Sequence, residues 1–249
     1  MSTLFAGPFG ANVSERAQLP PSLAISTVIF ALKPSRDVGK PTLWLPLVRR
    51  VKEPFKGQWA LPGGPLAATE SLEDAARRNL RETTGLAPEY LEQLYAFGGL
   101  NRAHRPGQGS QRVVSIVYWA LVRPTEAELL VEGEAEAENV AWHRADTAGD
   151  GEGGLAFDHR EIIDYALWRL RSKLEYAQIA YHFLGETFTL AQLREVYEAV
   201  LGRPLDPANF RRQLKSVPQI EPTDQFLEGG KHRPPRLYRY TGPAQRSTT

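Results

Sequence analysis

The chain has no cysteine and a single methionine. Without cysteine there is no disulfide and no thiolate-held zinc, which fits a reducing, cytoplasmic setting. The five histidines (His104, His143, His159, His182 and His232) are scattered, with no HxH or HExxH spacing, so a histidine metal site is not expected. No apolar run approaches the roughly 20 residues that cross a bilayer, and no basic stretch followed by an apolar one opens the chain. Neither a membrane partner nor a secretion signal is therefore expected. Formal net charge is +1, so any electrostatic preference for a partner has to be local. What is present is ordinary for a globular protein: 42% hydrophobic and 24% charged residues over 249 positions, enough for two domains.

Residues 1–21 show no periodicity and close on Pro20-Pro21, which reads as a mobile arm. Apolar or β-branched runs at Ser26–Leu32 and Leu43–Arg49 read as strands, and Pro46 argues that the second is at an edge or bulged. Trp59–Gly64 reads as a short strand ending in a tight glycine turn. A helix follows from Ser71, a plausible N-cap with Glu73 and Asp74 in the first turn, to Gly85 as its C-terminal stop. Gln93–Gly98, Arg112–Val122 and Asn139–His143 read as further strands. The glutamates between positions 126 and 138 read as a solvated loop or strand face. Asp158 opens a long helix, with Glu161 completing a capping-box pattern and Ile163, Ala166, Leu167, Leu170 and Leu174 forming a core stripe. The strand pattern ends there, which puts a domain boundary near Tyr176: a first domain over 22–176 and a second over 177–242, followed by a tail at 243–249.

The second domain reads as a winged helix. Thr189–Gly202 is a capped amphipathic helix with a glycine stop, and Asp206-Pro207 opens another, with Asp as N-cap and Pro at the first helical position. In the second helix Phe210 and Leu214 share one face, with Arg211, Arg212 and Lys215 on the other. Two short strands around the basic loop GGKHRPPR then form a wing. From Arg203 onward there are nine basic and four acidic residues, a balance of +5, which leaves −4 for the rest of the chain. A basic helix-turn-helix beside an acidic body is the footprint of duplex DNA binding. Asn209, Arg211, Arg212 and Lys215 are the candidate groove contacts, and Lys231, Arg233 and Arg236 the candidate wing contacts.

The chemistry of the first domain sits in Gly64, then Glu70 after five residues, then Arg78 after seven, followed by Asn79-Leu80-Arg81-Glu82-Thr83-Thr84-Gly85-Leu86. This stretch resembles the box of the Nudix family, G-x5-E-x7-R-E-U-x-E-E-x-G-U, with U a bulky aliphatic residue. The resemblance implies an α/β/α sandwich with a mixed sheet. With the winged helix it gives an α+β chain. In catalytic members, carboxylates at the positions of Asn79, Glu82 and Thr83 hold Mg²⁺ against a pyrophosphate. Mg²⁺ favours anionic oxygen ligands, and only Glu82 supplies one. The resemblance therefore implies a scaffold kept by Glu70 and Arg78, no catalytic residue, no metal ligand set, and Mg²⁺ binding that is weak at most. An anion can still be held by arginine forks. The candidates are Arg49, Arg50, Arg102, Arg105 and Arg112, and the ligand-binding set is completed by Trp59, Gly63, Gly64 and Glu82.

From Ser22 to Gly242 the chain resembles the Nudix-related transcriptional regulators of NAD metabolism, the NrtR type. The matching stretches are Arg49-Arg50, Pro54-Phe55-Lys56-Gly57-Gln58-Trp59-Ala60-Leu61-Pro62-Gly63-Gly64, Asn209-Phe210-Arg211-Arg212, and Arg233-Pro234-Pro235-Arg236-Leu237-Tyr238-Arg239-Tyr240. The resemblance implies a bacterial, homodimeric repressor on a palindromic operator of NAD synthesis or salvage genes, released by ADP-ribose, with no required cofactor. The helix opened by Asp158 joins the two domains and is the expected transmitter. The loop Arg102-Ala103-His104-Arg105-Pro106 departs from the family's Arg-Asp-Pro-Arg run and is longer and glycine-rich, which leaves the effector less fixed than the fold. Two alternatives stay open: an active ADP-ribose or nucleoside-diphosphate pyrophosphatase, with a carboxylate recruited from positions 126–138, and a regulator of the same architecture that senses a sugar or sugar phosphate.

Overall fold

The computed structural model describes residues 21–34, 39–88, 90–100, 102, 112–123, 139–151, 153–174, 179–228 and 234–242. Positions 1–20 of the expected arm, Arg105, the glutamates at 126–138, the boundary near Tyr176, the wing-tip residues Lys231 and Arg233, and the tail lie outside the described residues.

The first domain is one mixed sheet. Its strands are β1 (Ser22–Pro34), β2 (Pro41–Arg49), β3 (Trp59–Ala60), β4 (Gly63–Pro65), β5 (Tyr90–Phe97), β6 (Val113–Val122) and β7 (Val140–Arg144). The main path runs β3-β2-β1-β6-β5, with β4 on β1 and β7 on β2. β1 and β6 are parallel over their whole overlap and the other pairings are antiparallel. Successive side chains of a strand point to opposite faces. On β1 and β6, Val28, Phe30, Leu32, Val117, Trp119 and Leu121 join one core, while Ile25, Ile29, Ala31, Tyr118, Ala120 and Val122 join the other. Both faces are therefore apolar, and each is covered by a helix. The helix α1 (Leu72–Thr84) covers the second face through Ala75, Ala76 and Leu80. The helix α2 (His159–Leu174) covers the first through Ile162, Ile163, Ala166, Leu167, Leu170 and Leu174.

Two local expectations change. β2 is not an edge strand: it pairs with β1 only up to Trp44, with β3 from Val48, and with β7 along its other side. Pro46, which has no N–H to donate, falls where β2 has left β1 and has not yet met β3. Gly63 and Gly64 form strand rather than turn. A Cβ on Gly63 would sit 2.5 Å from the Ile25 carbonyl oxygen, so glycine is needed there for close backbone approach. The helix caps read from sequence are formed. Ser71 Oγ accepts from Asp74 N–H, and Gly85 takes the left-handed conformation with φ 70°.

The second domain holds α3 (Leu190–Leu201), α4 (Pro207–Leu214), β8 (Ile220–Phe226) and β9 (Arg236–Tyr240). Thr189 and Gln192 make a full capping box on α3, and Asp206 caps α4. Phe188 exchanges backbone hydrogen bonds of 2.9 and 2.8 Å with Tyr238, a single antiparallel bridge that ties the start of the domain to the two-stranded wing. Phe183, Phe188, Val196, Val200 and Phe210 belong to the same apolar cluster as the α2 face of the first sheet. The two domains thus share a continuous core beneath α2.

Candidate functional site

The polar groups of the box close on one another. Arg78 Nε donates to Glu70 Oε2 at 3.0 Å and Nη2 to Oε1 at 2.8 Å, while Nη1 donates to Asn79 Oδ1 at 3.0 Å and Glu82 Oε2 at 3.3 Å. Glu70 also accepts from Ala67 N–H at 2.7 Å. The Arg78 hydrogen bonds, and after them the Ala67 amide, pull the Glu70 carboxyl down to about 2. Asn79 is only 4% exposed. Its amide nitrogen donates to Ile25 O at 3.4 Å, tying α1 to β1.

This donor set does not suit a Mg²⁺ cluster. A cation on Asn79 Oδ1 would face the Arg78 guanidinium. Thr83 contributes a hydroxyl, and Glu82 is alone among the three positions as a carboxylate. No group of three or more acidic or histidine side chains able to hold a metal occurs among the described residues.

The described candidate arginines, Arg49, Arg50, Arg102 and Arg112, lie around one end of the sheet, where β2 finishes and β1 and β6 begin. Arg50 and Gln58 close a hairpin through Arg50 N–H to Gln58 O at 2.9 Å and Gly57 N–H to Arg50 O at 2.8 Å. Inside it Arg49 Nε donates to Gly57 O at 3.2 Å and Arg50 Nε to Pro54 O at 2.8 Å. The Arg50 guanidinium lies 4.6 Å from the Phe157 ring, which in turn meets Phe55 edge-on at 4.9 Å. Burial lowers the Arg50 pKa, with Glu53 opposing. Arg112 is exposed at the start of β6 and reaches Gly98 O at 3.4 Å.

The segment entering α2 is stitched to this end. Ala156 N–H donates to Trp59 O at 2.8 Å, and Leu61 N–H donates to His159 Nδ1 at 2.9 Å. Nδ1 is therefore the unprotonated nitrogen, and burial pushes the His159 pKa down to about 3. Arg102 makes a two-pronged pair with Asp158, at 2.9 and 2.8 Å, and its side chain is only 6% exposed. The Asp158 carboxylate is thus taken by Arg102, and no side-chain bond to Glu161 completes a capping box. Of the candidate set, Arg50, Trp59 and Arg102 are gathered around His159 and Phe157, and Gly63-Gly64 adjoins Asn79. Phe55, Phe157 and His159 belong to this cluster without having been singled out from sequence. Phe157 has φ 58°, unusual for a bulky residue, and nothing local in the sequence signals it.

On the second domain, α4 buries Phe210 and Leu214, with the Phe210 ring against Tyr197 of α3 at 5.1 Å. The opposite side leaves Asn209, Arg211, Arg212 and Lys215 exposed. Arg212 Nη2 donates to Asn209 Oδ1 at 2.8 Å, and among the described residues no ion pair holds Arg211, Arg212 or Lys215. Arg236 at the wing lies 3.7 Å from Asp224.

The NUDIX domain model matches residues 27–166, and the NrtR DNA-binding winged helix domain model matches residues 180–240. An ADPR-responsive transcriptional repressor, NtrR, of Acinetobacter baylyi is 32% identical over 222 residues, covering 88% of this chain and 82% of that one. This chain belongs to the NrtR family of Nudix-related regulators. The crystal structure of Shewanella oneidensis NrtR complexed with a 27mer DNA matches with a TM-score of 0.67 at 30% identity, over 88% of this chain and 93% of that one. An ADP-ribose pyrophosphatase of Methanocaldococcus jannaschii is 34% identical over 124 residues, 49% of this chain and 66% of that one. As an NrtR-family chain it carries the expected α/β/α sandwich and winged helix in that order. No helix of the described residues is long and apolar enough to cross a membrane.

Proposed function

We propose that this NrtR-family protein is a cytoplasmic, ADP-ribose-responsive transcriptional repressor of bacterial NAD synthesis or salvage genes. It binds a palindromic operator as a homodimer and lets go when ADP-ribose occupies the Nudix domain. The observation that carries the reading is a contrast within one chain. The Nudix box holds its polar groups in an internal network, while α4 leaves its cations facing outward.

In this reading Arg49, Arg50, Arg102, Arg105 and Arg112 supply charge for the diphosphate, Trp59 and Gly63-Gly64 shape the floor, and Glu82 faces the ligand's polar groups. No step requires a metal. Asn209, Arg211, Arg212 and Lys215 enter the major groove, and Lys231, Arg233 and Arg236 hold backbone phosphates.

Effector can shift operator affinity only by binding two arrangements of the protein unequally. The Arg102–Asp158 pair is a direct route. A phosphate that draws Arg102 releases Asp158, next to the first residue of α2. At its other end α2 touches the winged helix, where Arg171 Nε donates to Val200 O at 3.0 Å. The test is fluorescence anisotropy of duplex DNA from the gene's own upstream region, over a salt series, with and without ADP-ribose. Salt-sensitive binding that ADP-ribose weakens supports the reading, and DNA binding unaffected by ADP-ribose contradicts it. A second reading, a pyrophosphatase, is favoured by the retained Glu82. Steady release of AMP from ADP-ribose with Mg²⁺ would bring it forward.

A further inference from the structure

The outward side chains of α4 are not equivalent. The direction midway between the buried Phe210 and Leu214 points into the domain. At about 100° per residue, Arg212 then points roughly 180° from it, straight out of the domain. Asn209 lies roughly 60° to one side of Arg212 and Lys215 roughly 60° to the other. Arg211 stands only about 80° from the inward direction, so it lies on the flank of the helix. Ala208, one turn before Arg212 on the same face, is exposed and too small to hold the helix off a groove floor.

The bond between Asn209 and Arg212 adds a second distinction. Arg212 Nη2 donates to Asn209 Oδ1 at 2.8 Å. A guanidinium carries donors only, so the amide oxygen of Asn209 faces it and the amide nitrogen turns away. A two-pronged pair with adenine needs both the oxygen and the nitrogen of an asparagine. With its oxygen on Arg212, Asn209 cannot supply that pair. Arg212 gives up one N–H donor and keeps enough for the two bonds that guanine O6 and N7 accept. Asn209 is itself fixed, because its backbone N–H donates to the capping Asp206 Oδ1 at 2.8 Å. The cap holds Asn209, and Asn209 holds the arginine.

We infer that Arg212 reads a guanine edge in the major groove, with Asn209 as the residue that positions it, while Arg211 and Lys215 hold phosphates at the groove walls. The inference rests on the DNA-binding reading of α4 and adds which side chain carries sequence and which carries charge. Phosphate contacts set a protein's register on a duplex, and base-edge contacts specify sequence. The bound sequence therefore holds a guanine whose preference depends on Arg212 and Asn209 and not on Arg211.

The test is selection from a duplex library with a randomised centre, by the full-length protein without ADP-ribose, followed by sequencing of the bound DNA. Low salt keeps weakened variants bound through their phosphate contacts. Wild type is expected to enrich a motif that contains a guanine. Arg212→Ala and Arg212→Gln should each lower the preference for that guanine by at least about fivefold, the small end of what a paired base contact is worth. Asn209→Ala should relax the same position and no other, and adding it to Arg212→Ala should relax nothing further. Asn209→Asp keeps an oxygen for the guanidinium, so it should recover the guanine preference while its charge weakens all binding. Arg211→Ala should leave the motif unchanged, weaken every sequence alike and lower the salt slope by about 1. These positions are exposed, and Phe210 and Leu214 still seat the helix. A guanine preference that survives both Arg212 variants, an adenine position lost in Asn209→Ala, or a motif altered by Arg211→Ala overturns the assignment and leaves the protein a DNA binder. No sequence enriched by wild type overturns the assignment and the DNA-binding reading together.

Discussion

The helices α1 and α4 both carry arginines, in opposite ways. On α1, Arg78 is spent inside the molecule on Glu70, Asn79, Glu82 and the Pro65 carbonyl. On α4, Arg211, Arg212 and Lys215 point away from the buried Phe210 and Leu214. The first arrangement spends charge on fixing a loop against a helix, and the second keeps charge for a partner. A motif's residues therefore do not report function by type alone. Whether their polar atoms are already satisfied decides it.

The comparison is most sharply broken by removing the outward charge. Arg211→Ala with Arg212→Ala should weaken operator binding by about 100-fold, at roughly 1–3 kcal/mol per contact, and leave ADP-ribose affinity unchanged. Anisotropy and calorimetry on the same sample check both halves. Equal loss of both would mean that α4 supports the fold rather than reads DNA.

Acid should open the inward network near α2. His159 has its pKa lowered from 6.5 to about 3, chiefly by burial. The unfolded chain then binds more protons than the folded one below 6.5, so this contribution is full above that pH and is lost as pH falls toward 3. Denaturant unfolding should lose on the order of 2–3 kcal/mol between pH 6.5 and about 4.5 from this group. His182, lowered to about 4 by burial and then by nearby cations, acts in the same direction. His159→Gln should flatten the slope, and an unchanged slope would remove His159 from the account.

Asp158→Asn frees Arg102 without adding charge. Operator affinity of the unliganded protein should fall toward that of the ADP-ribose-bound wild type, so that the remaining ADP-ribose effect on it shrinks by about tenfold, a coupling of ordinary size. An unaltered effect would show that the signal reaches α2 by another route. The smallest change is expected from Asn79→Glu with Thr83→Glu. It should yield a Mg²⁺-dependent rise in melting temperature with no change in DNA binding. Absence of that rise would mean the rest of the metal shell is missing too.

Much of this was legible in the chain because it is local. Ser71, Gly85, Thr189, Asp206 and Pro207 act on backbone groups within a few residues, and the caps formed where their types placed them. The runs at Ser26–Leu32 and Arg112–Val122 likewise marked β1 and β6 as strands. What was not legible is non-local. Gly63 looks like a turn residue, yet its lack of a side chain matters because Ile25 comes close from another strand. Asp158 has the sequence of a cap, yet its partner Arg102 is 56 residues away. Pro46 looks like an edge marker until two different neighbours of β2 are placed. The arginines at the sheet end were recognisable by type, but that Arg50 stacks on Phe157 depends on a left-handed residue in another segment.

The most direct test is calorimetric titration of ADP-ribose into the full-length protein, once with Mg²⁺ and once with EDTA. The account predicts the same saturable heat in both, ending when the site is full, because Arg78 and Asn79 satisfy each other where a metal would sit. Binding that vanishes in EDTA, or heat that continues at a steady rate with Mg²⁺, would contradict it.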